Sequence, residues 1–386
     1  MIRLAGAAIV QPHGILDPGT LTVEGDRIVA VTAGDAGGDA RDLRRRIIVP
    51  GFVDVHVHGV RGVDSLDGGD AIARIARILP EFGVTAFCPT SIACSPKDLG
   101  VMLAAVRAAR QQVNEQSARV LPAHLESNFI SPAFKGAQPE NCIRAPGQQV
   151  EGEFSGPDVL AEIARWQKDV GILTVAPEID GVLDLIPLLV DRGHRVSLGH
   201  SGATYEQAVD GIAAGARHAT HLFNRMTGIT HRAPGLSGAI LESDQVSAEI
   251  ICDGVHVHPA AVRFAVAAKH PRRIMAITDG TAGSGLERGS RATLGGRPIT
   301  VGDAAYLADG TLAGSALTMD RVFSSLVRLG FSLVDVALMC ATTPSQAIGL
   351  IDSGALIAGA TADFVVLDEE FGVVETYIGG RRVSVA

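Results

Sequence analysis

The middle of the chain alternates between two textures. Short apolar runs recur at 52–58 (FVDVHVH), 85–91 (TAFCPTS), 120–126 (VLPAHLE), 173–178 (LTVAPE), 195–201 (RVSLGHS), 218–223 (HATHLF), 248–254 (AEIICDG) and 274–280 (IMAITDG). Between most of them lie stretches rich in Ala, Leu and Arg with apolar residues at helical spacing, such as DAIARIARILPEFG and DVLAEIARWQKDVG. Buried parallel strands read as short apolar runs, and amphipathic helices as a period of 3.6. The alternation predicts repeated βα units over 51–354. Eight such units close a (β/α)8 TIM-type barrel of roughly 250 residues. The flanks differ: 1–50 and 355–386 carry strand-like segments separated by turn residues, the same texture at both ends.

Composition narrows the class of protein. The 386 residues are 47% apolar and 19% charged, a globular balance with enough material for a large core. A net charge of −9 argues against a nucleic-acid surface. No apolar run approaches the roughly 18 residues of a membrane span. The opening MIRLAGAAIV has one basic residue and runs directly into turn residues, so it reads as a first strand and not a signal peptide. The five cysteines (Cys88, Cys94, Cys142, Cys252, Cys340) lack CxxC spacing and read as reduced core residues of a cytoplasmic protein.

Nearly every predicted strand ends in a residue capable of chemistry: His56 and His58, Glu126, Glu178, His200, His221, Asp253, Asp279. Barrel enzymes gather their active sites at the C-terminal ends of the strands, so the fold and the site support each other. His56 and His58 are two apart and share one strand face, which lets two imidazoles reach one metal. Glu126 in a barrel mouth needs a cation or a partner to offset its desolvation, and His124, one layer deeper, is placed to orient it. With His200 and His221 it completes the His, His, carboxylate set of a catalytic divalent metal. His218, three before His221, falls on the opposite face and reads as packing. Asp279 in ITDG suits a base that takes a proton from water and passes it to a leaving nitrogen, although Asp before Gly also serves as a plain turn residue. No P-loop, GxGxxG after a strand or GxSxG elbow is present. TAGSG (281–285) reads as a mobile glycine-rich loop. His13, His194, His231, His258 and His270 read as surface or loop residues.

The segments PGFVDVHVHG, HLE, LGHSGAT, HLFNRMTG, DGVHVHP, ITDG and LAGSALTMD, in this order, resemble N-acetylglucosamine-6-phosphate deacetylases of the amidohydrolase superfamily. The resemblance covers nearly the whole chain and implies that the flanking strands form a small β-sandwich. It implies a divalent metal held by Glu126, His200 and His221, with Asp279 as base and then acid. His56 and His58 would help to hold a second metal, so one or two ions (zinc, iron, manganese or cobalt) remain open. It further implies a homodimer in which Arg232 reaches the neighbouring subunit's phosphosugar. Asn224, the backbone at Arg225, and His256 would supply further phosphate and substrate contacts. The implied reaction is deacetylation of N-acetyl-D-glucosamine 6-phosphate to D-glucosamine 6-phosphate and acetate.

Two departures from the family pattern stand out. HLEGP is here HLESNF, with Ser127 and Asn128 after the ligand, and a substrate-contacting histidine is here Gln138. Both changes are expected near the substrate and away from the metal. They leave open another N-acyl amino sugar, such as N-acetylgalactosamine 6-phosphate, or another amidohydrolase substrate such as a dipeptide or cyclic amide. A catalytically dead scaffold is argued against by the full set of ligands and base.

Overall fold

The computed structural model describes residues 1–35, 38–112 and 114–384. All eight expected barrel strands are present: Phe52–Val57, Val84–Ser91, Ala123–Leu125, Val170–Val175, Arg195–Leu198, His218–Ala219, Ser247–Ile251 and Ile274–Ile277. Each pairs in parallel with the next. The seam between the first and eighth is joined by a parallel bridge, Val57 to Gly280, and by His58 N–H donating to Gly280 O at 2.8 Å.

Strand alternation sorts the core into two layers. On the seventh and eighth strands Ala248, Ile250, Ile274 and Ala276 point outward into the shell of helices. Ile251, Met275 and Ile277 point inward, where they meet Val53, Val55, Ala86, Cys88 and Ile172. Each of the Val, Ile and Met side chains among them contributes about 1.5–3 kcal/mol by leaving water, which fixes the strand register and hence which residues reach the mouth. The outer helices start on sequence-encoded caps: Ser95 accepts from Asp98 N–H, and Ser155 with Asp158 and Thr204 with Gln207 form capping boxes.

Strands from both ends of the chain join in one eight-stranded sheet. Phe364–Leu367 lies antiparallel to Ile47–Pro50, and Ile2–Gln11 pairs with Ile47–Pro50 on one side and Gly14–Glu24 on the other. Bulges between Ala5 and Ile9 bend the sheet around a core of its own, which includes Leu4, Ile9, Leu21, Ile28, Ile48 and Phe364. Residues 36, 37, 385 and 386 of the expected flanking segments lie outside the described residues. Gly51 links this sheet to the first barrel strand. A Cβ there would lie 2.4 Å from the Thr85 side chain, so the PGF turn requires glycine.

Two segments depart from the sequence reading. TAGSG is no mobile loop: Thr281 to Ser284 are buried, and their carbonyls and hydroxyls bind Arg61, Gly62 and Ser315. Beyond it, Arg291–Leu294, Arg297–Val301 and Ala305–Tyr306 form a three-stranded antiparallel sheet that the strand count overlooked. Its signal was the Gly295-Gly296 turn between two alternating runs. This sheet and the turn after it carry Leu294, Leu312, Ala313 and Gly314 to the barrel mouth.

Candidate active site

Of the residues expected to hold a metal, His56 lies within the first barrel strand. His58, Glu126, His200 and His221 follow strand ends, as does Asp279, and His200, His221 and Asp279 adopt φ of 47°, 30° and 49°. Left-handed backbone is uncommon for residues with a Cβ and persists where surrounding bonds over-determine it. Here Glu178 accepts from Ser201 Oγ (2.6 Å) and Gly202 N–H (2.5 Å), fixing the turn after His200. Ser315 N–H donates to Asp279 O at 2.8 Å, and Thr278 Oγ donates to Asp54 at 2.6 Å. The sixth strand, expected to reach residue 223, stops at Ala219 because the chain must turn left-handed to aim His221 inward.

The result is a tight cluster. Glu126 Oε1 lies 3.0 Å from His200 Nε2 and 2.7 Å from His221 Nε2, and the two nitrogens are 3.1 Å apart. His200 Nδ1–H donates to Phe134 O at 2.8 Å, which leaves Nε2 as a lone-pair donor. Two imidazole nitrogens and a carboxylate oxygen facing one point is the donor set of a divalent first-row metal. Beside it, His56 Nε2 and His58 Nε2 stand 3.2 Å apart, with Asp279 Oδ1 at 3.4 and 3.3 Å from them. The Glu126–His200–His221 and His56–His58–Glu126 groups each bring their donor atoms within 4.8 Å of one another. The chemistry of the donors fits a metal centre.

Electrostatics follow from burial and mutual charge. Burial alone would lower His58, yet its hydrogen bonds to Asp279 and Glu126 carry it up to about 10. His221 is likewise disfavoured by burial but raised to about 9 by Glu126. Burial takes His56 down to about 4. Burial works to raise Glu126 and Asp279, but the surrounding imidazoles hold both carboxyls below their ordinary range. Both carboxylates are therefore favoured in their ionised form.

The substrate-side residues divide. Asn224, Arg225, His256, Gln138 and Asp279 line one cavity with His58, Glu126, His200 and His221. Asp253, expected only as a strand-end acid, positions His256: it accepts a hydrogen bond from His256 Nδ1–H at 2.5 Å and from two backbone N–H groups at 2.8 and 2.9 Å. Gly136 has φ of +57°, and a Cβ there would lie 2.7 Å from Arg225 Nε. Arg232 is exposed; among the described residues its side chain bonds to His231 alone, at 2.7 Å, and it does not line this cavity.

Several expectations need correction. Gln138 touches the metal cluster directly: its Nε2 donates to Glu126 Oε2, and its Oε1 accepts from Ala93 N–H at 2.7 Å. Ser127 and Asn128 are buried, do not line the cavity and donate to backbone, Ser127 to Thr174 O and Asn128 to Cys94 O and Cys142 O. His124 does not orient Glu126. It bridges Val55 O (3.0 Å) and Thr174 Oγ (2.8 Å) and packs edge-on to His56. His194 is buried and bonded to Val170 O, unlike the other four histidines grouped with it. His218 is the packing residue expected, bonded to Ala347 O at 3.0 Å on the helix side. The sequence reading missed Glu249, which is fully buried beneath the cluster and raised to about 7 by that burial.

With this geometry in hand, comparison with known proteins is informative. A sequence model of the amidohydrolase family matches residues 47–383. The chain is 39% identical to rat N-acetylglucosamine-6-phosphate deacetylase, covering 97% of this chain and 90% of that protein. It is 33% identical to an Escherichia coli N-acetylgalactosamine-6-phosphate deacetylase over 99% of both. Among solved structures, an aspartate-to-alanine mutant of N-acetyl-D-glucosamine-6-phosphate deacetylase from Mycobacterium smegmatis, in complex with N-acetyl-D-glucosamine-6-phosphate, superposes with a TM-score of 0.90. It is 32% identical and covers 100% of this chain and 99% of that one.

Proposed function

The chain belongs to the amidohydrolase family, and from that premise we propose that it deacetylates N-acetyl-D-glucosamine 6-phosphate, releasing D-glucosamine 6-phosphate and acetate. The observation that carries this reading is the convergence of Glu126, His200 and His221 on one point, with Asp279 beside them in a cavity that also holds Asn224, Arg225 and His256.

Glu126, His200 and His221 would hold a divalent cation (zinc, iron, manganese or cobalt), which when bound would supply Lewis acidity toward the acyl carbonyl and the attacking water. The remaining work belongs to the chain. Asp279, ionised and buried, accepts the proton of the attacking water at Oδ1 and then delivers it to the leaving sugar nitrogen. Gln138 holds Glu126 in place with one N–H, and its second N–H is left for the substrate. His256, held by Asp253, and Asn224 with Arg225 orient the sugar phosphate in an otherwise acidic protein. Leu294, Leu312 and Ala313 close the apolar side of the cavity and limit water.

The exposed Arg232 is assigned to a neighbouring subunit's phosphate, in a homodimer. The working division is a small β unit of 1–50 with 355–386 and a catalytic barrel of 51–354. A cytoplasmic location is supported by five free cysteines, four of them buried, and among the described residues no helix is long and apolar enough to cross a membrane. The match to an N-acetylgalactosamine-6-phosphate deacetylase over both full lengths favours one second reading, the galacto epimer as substrate. The test is acetate release from the phosphorylated gluco compound, its unphosphorylated form and the galacto phosphate, with metal content measured on the same sample. Preference for the first supports the proposal, and preference for the third selects the epimer. A metal-loaded protein inactive on all three removes the phosphosugar reading.

A further inference from the structure

Glu249 has no part in the chemistry above, yet it places a carboxylate inside the barrel at 0% exposure. Its strand sends Ala248 and Ile250 outward, so Glu249 shares the inner face with Ile251. Its Oε2 accepts from His56 Nδ1–H at 2.9 Å and from His221 N–H at 3.3 Å. Among the described residues its Oε1 has no hydrogen-bond partner; His124 Nδ1 is 3.6 Å away, and that N–H is directed at Val55 O. A buried charge with one oxygen unpaired costs stability, and an apolar residue of the same volume would serve a purely structural role better. What a carboxylate does here, and an apolar group cannot, is hold the proton of His56 on Nδ1. His56 Nε2 is then a lone-pair donor, 3.2 Å from His58 Nε2, 3.4 Å from Asp279 Oδ1 and 3.7 Å from Glu126 Oε1.

We propose that Glu249 is a positioning residue for a second cation: acting through His56, it completes a site of His56, His58, Asp279 and a shared Glu126 oxygen. The proposal rests on the reading of the barrel mouth as a divalent-metal centre. A carboxylate behind a ligating imidazole fixes its tautomer and orientation and makes it more basic. His200 is braced by a neutral carbonyl, Phe134 O, and Glu249 meets the first site at the backbone N–H of His221 and not at its imidazole, so its loss weighs on the second site.

The experiment strips the protein with a chelator and titrates it with Co2+ by calorimetry, with metal analysis after gel filtration. Wild type is expected to take up two equivalents per chain. Glu249→Gln keeps the volume, leaves the first equivalent unchanged and weakens the second by roughly 10- to 100-fold. In a His56→Asn background the same change adds no more than about twofold, because its effect travels through His56. Glu249→Met fills the position with an apolar side chain; it is expected to melt no lower than wild type without metal, while losing the second equivalent. This variant carries the test if Glu249→Gln does not fold. The proposal is overturned if the second equivalent binds either variant within about twofold of wild type, if both equivalents weaken alike, or if the loss persists without His56. Wild type binding one cation also overturns it and leaves the hydrolase reading intact. Wild type binding none overturns both.

Discussion

Replacing Gln138 by leucine tests how the metal cluster is held. Leucine approximates the shape of glutamine and removes both polar ends. Two groups lose their partners. Glu126 Oε2 keeps only His58, 3.5 Å away, and the N–H of Ala93, itself fully buried, has no acceptor left. A hydrogen bond to a charged group contributes about 1.5–3 kcal/mol, and an orphaned buried N–H costs about 1–3 kcal/mol. The metal-free variant should therefore unfold more easily by about 3–5 kcal/mol, before relaxation. Cation affinity should fall roughly 10- to 100-fold, because Glu126 is free to rotate away from His200 and His221. Urea denaturation of the stripped protein gives the first number, and competition with a chromophoric chelator gives the second. Gln138→His, which restores one donor toward Glu126, should recover much of the affinity. Unfolding free energy within about 0.5 kcal/mol of wild type, with unchanged cation affinity, would refute the assignment of Gln138 to the metal cluster.

Asp279→Asn should retain the cation held by Glu126, His200 and His221 while kcat falls at least 10²- to 10⁴-fold, the range for losing a general base; near-normal turnover would remove Asp279 from that role. Arg232→Ala should raise KM for the phosphorylated sugar and leave the unphosphorylated one unaffected, read as paired kcat/KM values, and equal effects on both would discard the inter-subunit phosphate contact. Burial takes His218 from 6.5 to about 4. The unfolded chain therefore binds a proton that the folded one refuses, and stability is full above 6.5 and declines as pH falls toward 4. At pH 5 the loss amounts to about 2 kcal/mol. His218→Gln should reduce the difference in urea midpoint between pH 7.5 and pH 5, and an unchanged difference would show that this histidine is not the source.

The barrel was legible because two local rules agree in it. Strand-length apolar runs repeat eight times, and a His, Glu or Asp closes most of them. His56, His58, Glu126, His200, His221 and Asp279 could be named from position alone. Their partners could not. Gln138 lies in a stretch without regular periodicity, and its contact with Glu126 depends on how residues 132–142 fold over the mouth. Glu249 was visible as a charge inside AEIICDG, in a strand otherwise apolar on both faces. That conflict between charge and expected burial was the available signal. Ser127 and Asn128 looked like substrate contacts because they follow a ligand, but the chain turns after Glu126 and directs them at backbone carbonyls of Thr174, Cys94 and Cys142. The short sheet over 291–306 was overlooked because its strands are four, five and two residues long.

The pairing of Ile47–Pro50 with Phe364–Leu367 bears on how this protein is made. On a ribosome, roughly 310 residues must emerge after Pro50 before its partner strand exists. At about 5–20 residues per second that is some 15–60 s, long compared with the formation of any single helix or hairpin. Through that interval the inner edge of Ile47–Pro50 has unpaired backbone groups beside apolar side chains, the kind of surface that invites pairing with another chain. The later-made strand thus acts as the closing clasp on the earlier one. Truncation near residue 364 should leave a nascent protein whose barrel sequence is complete but which stays bound to chaperones, detectable as persistent association in a pull-down of stalled chains.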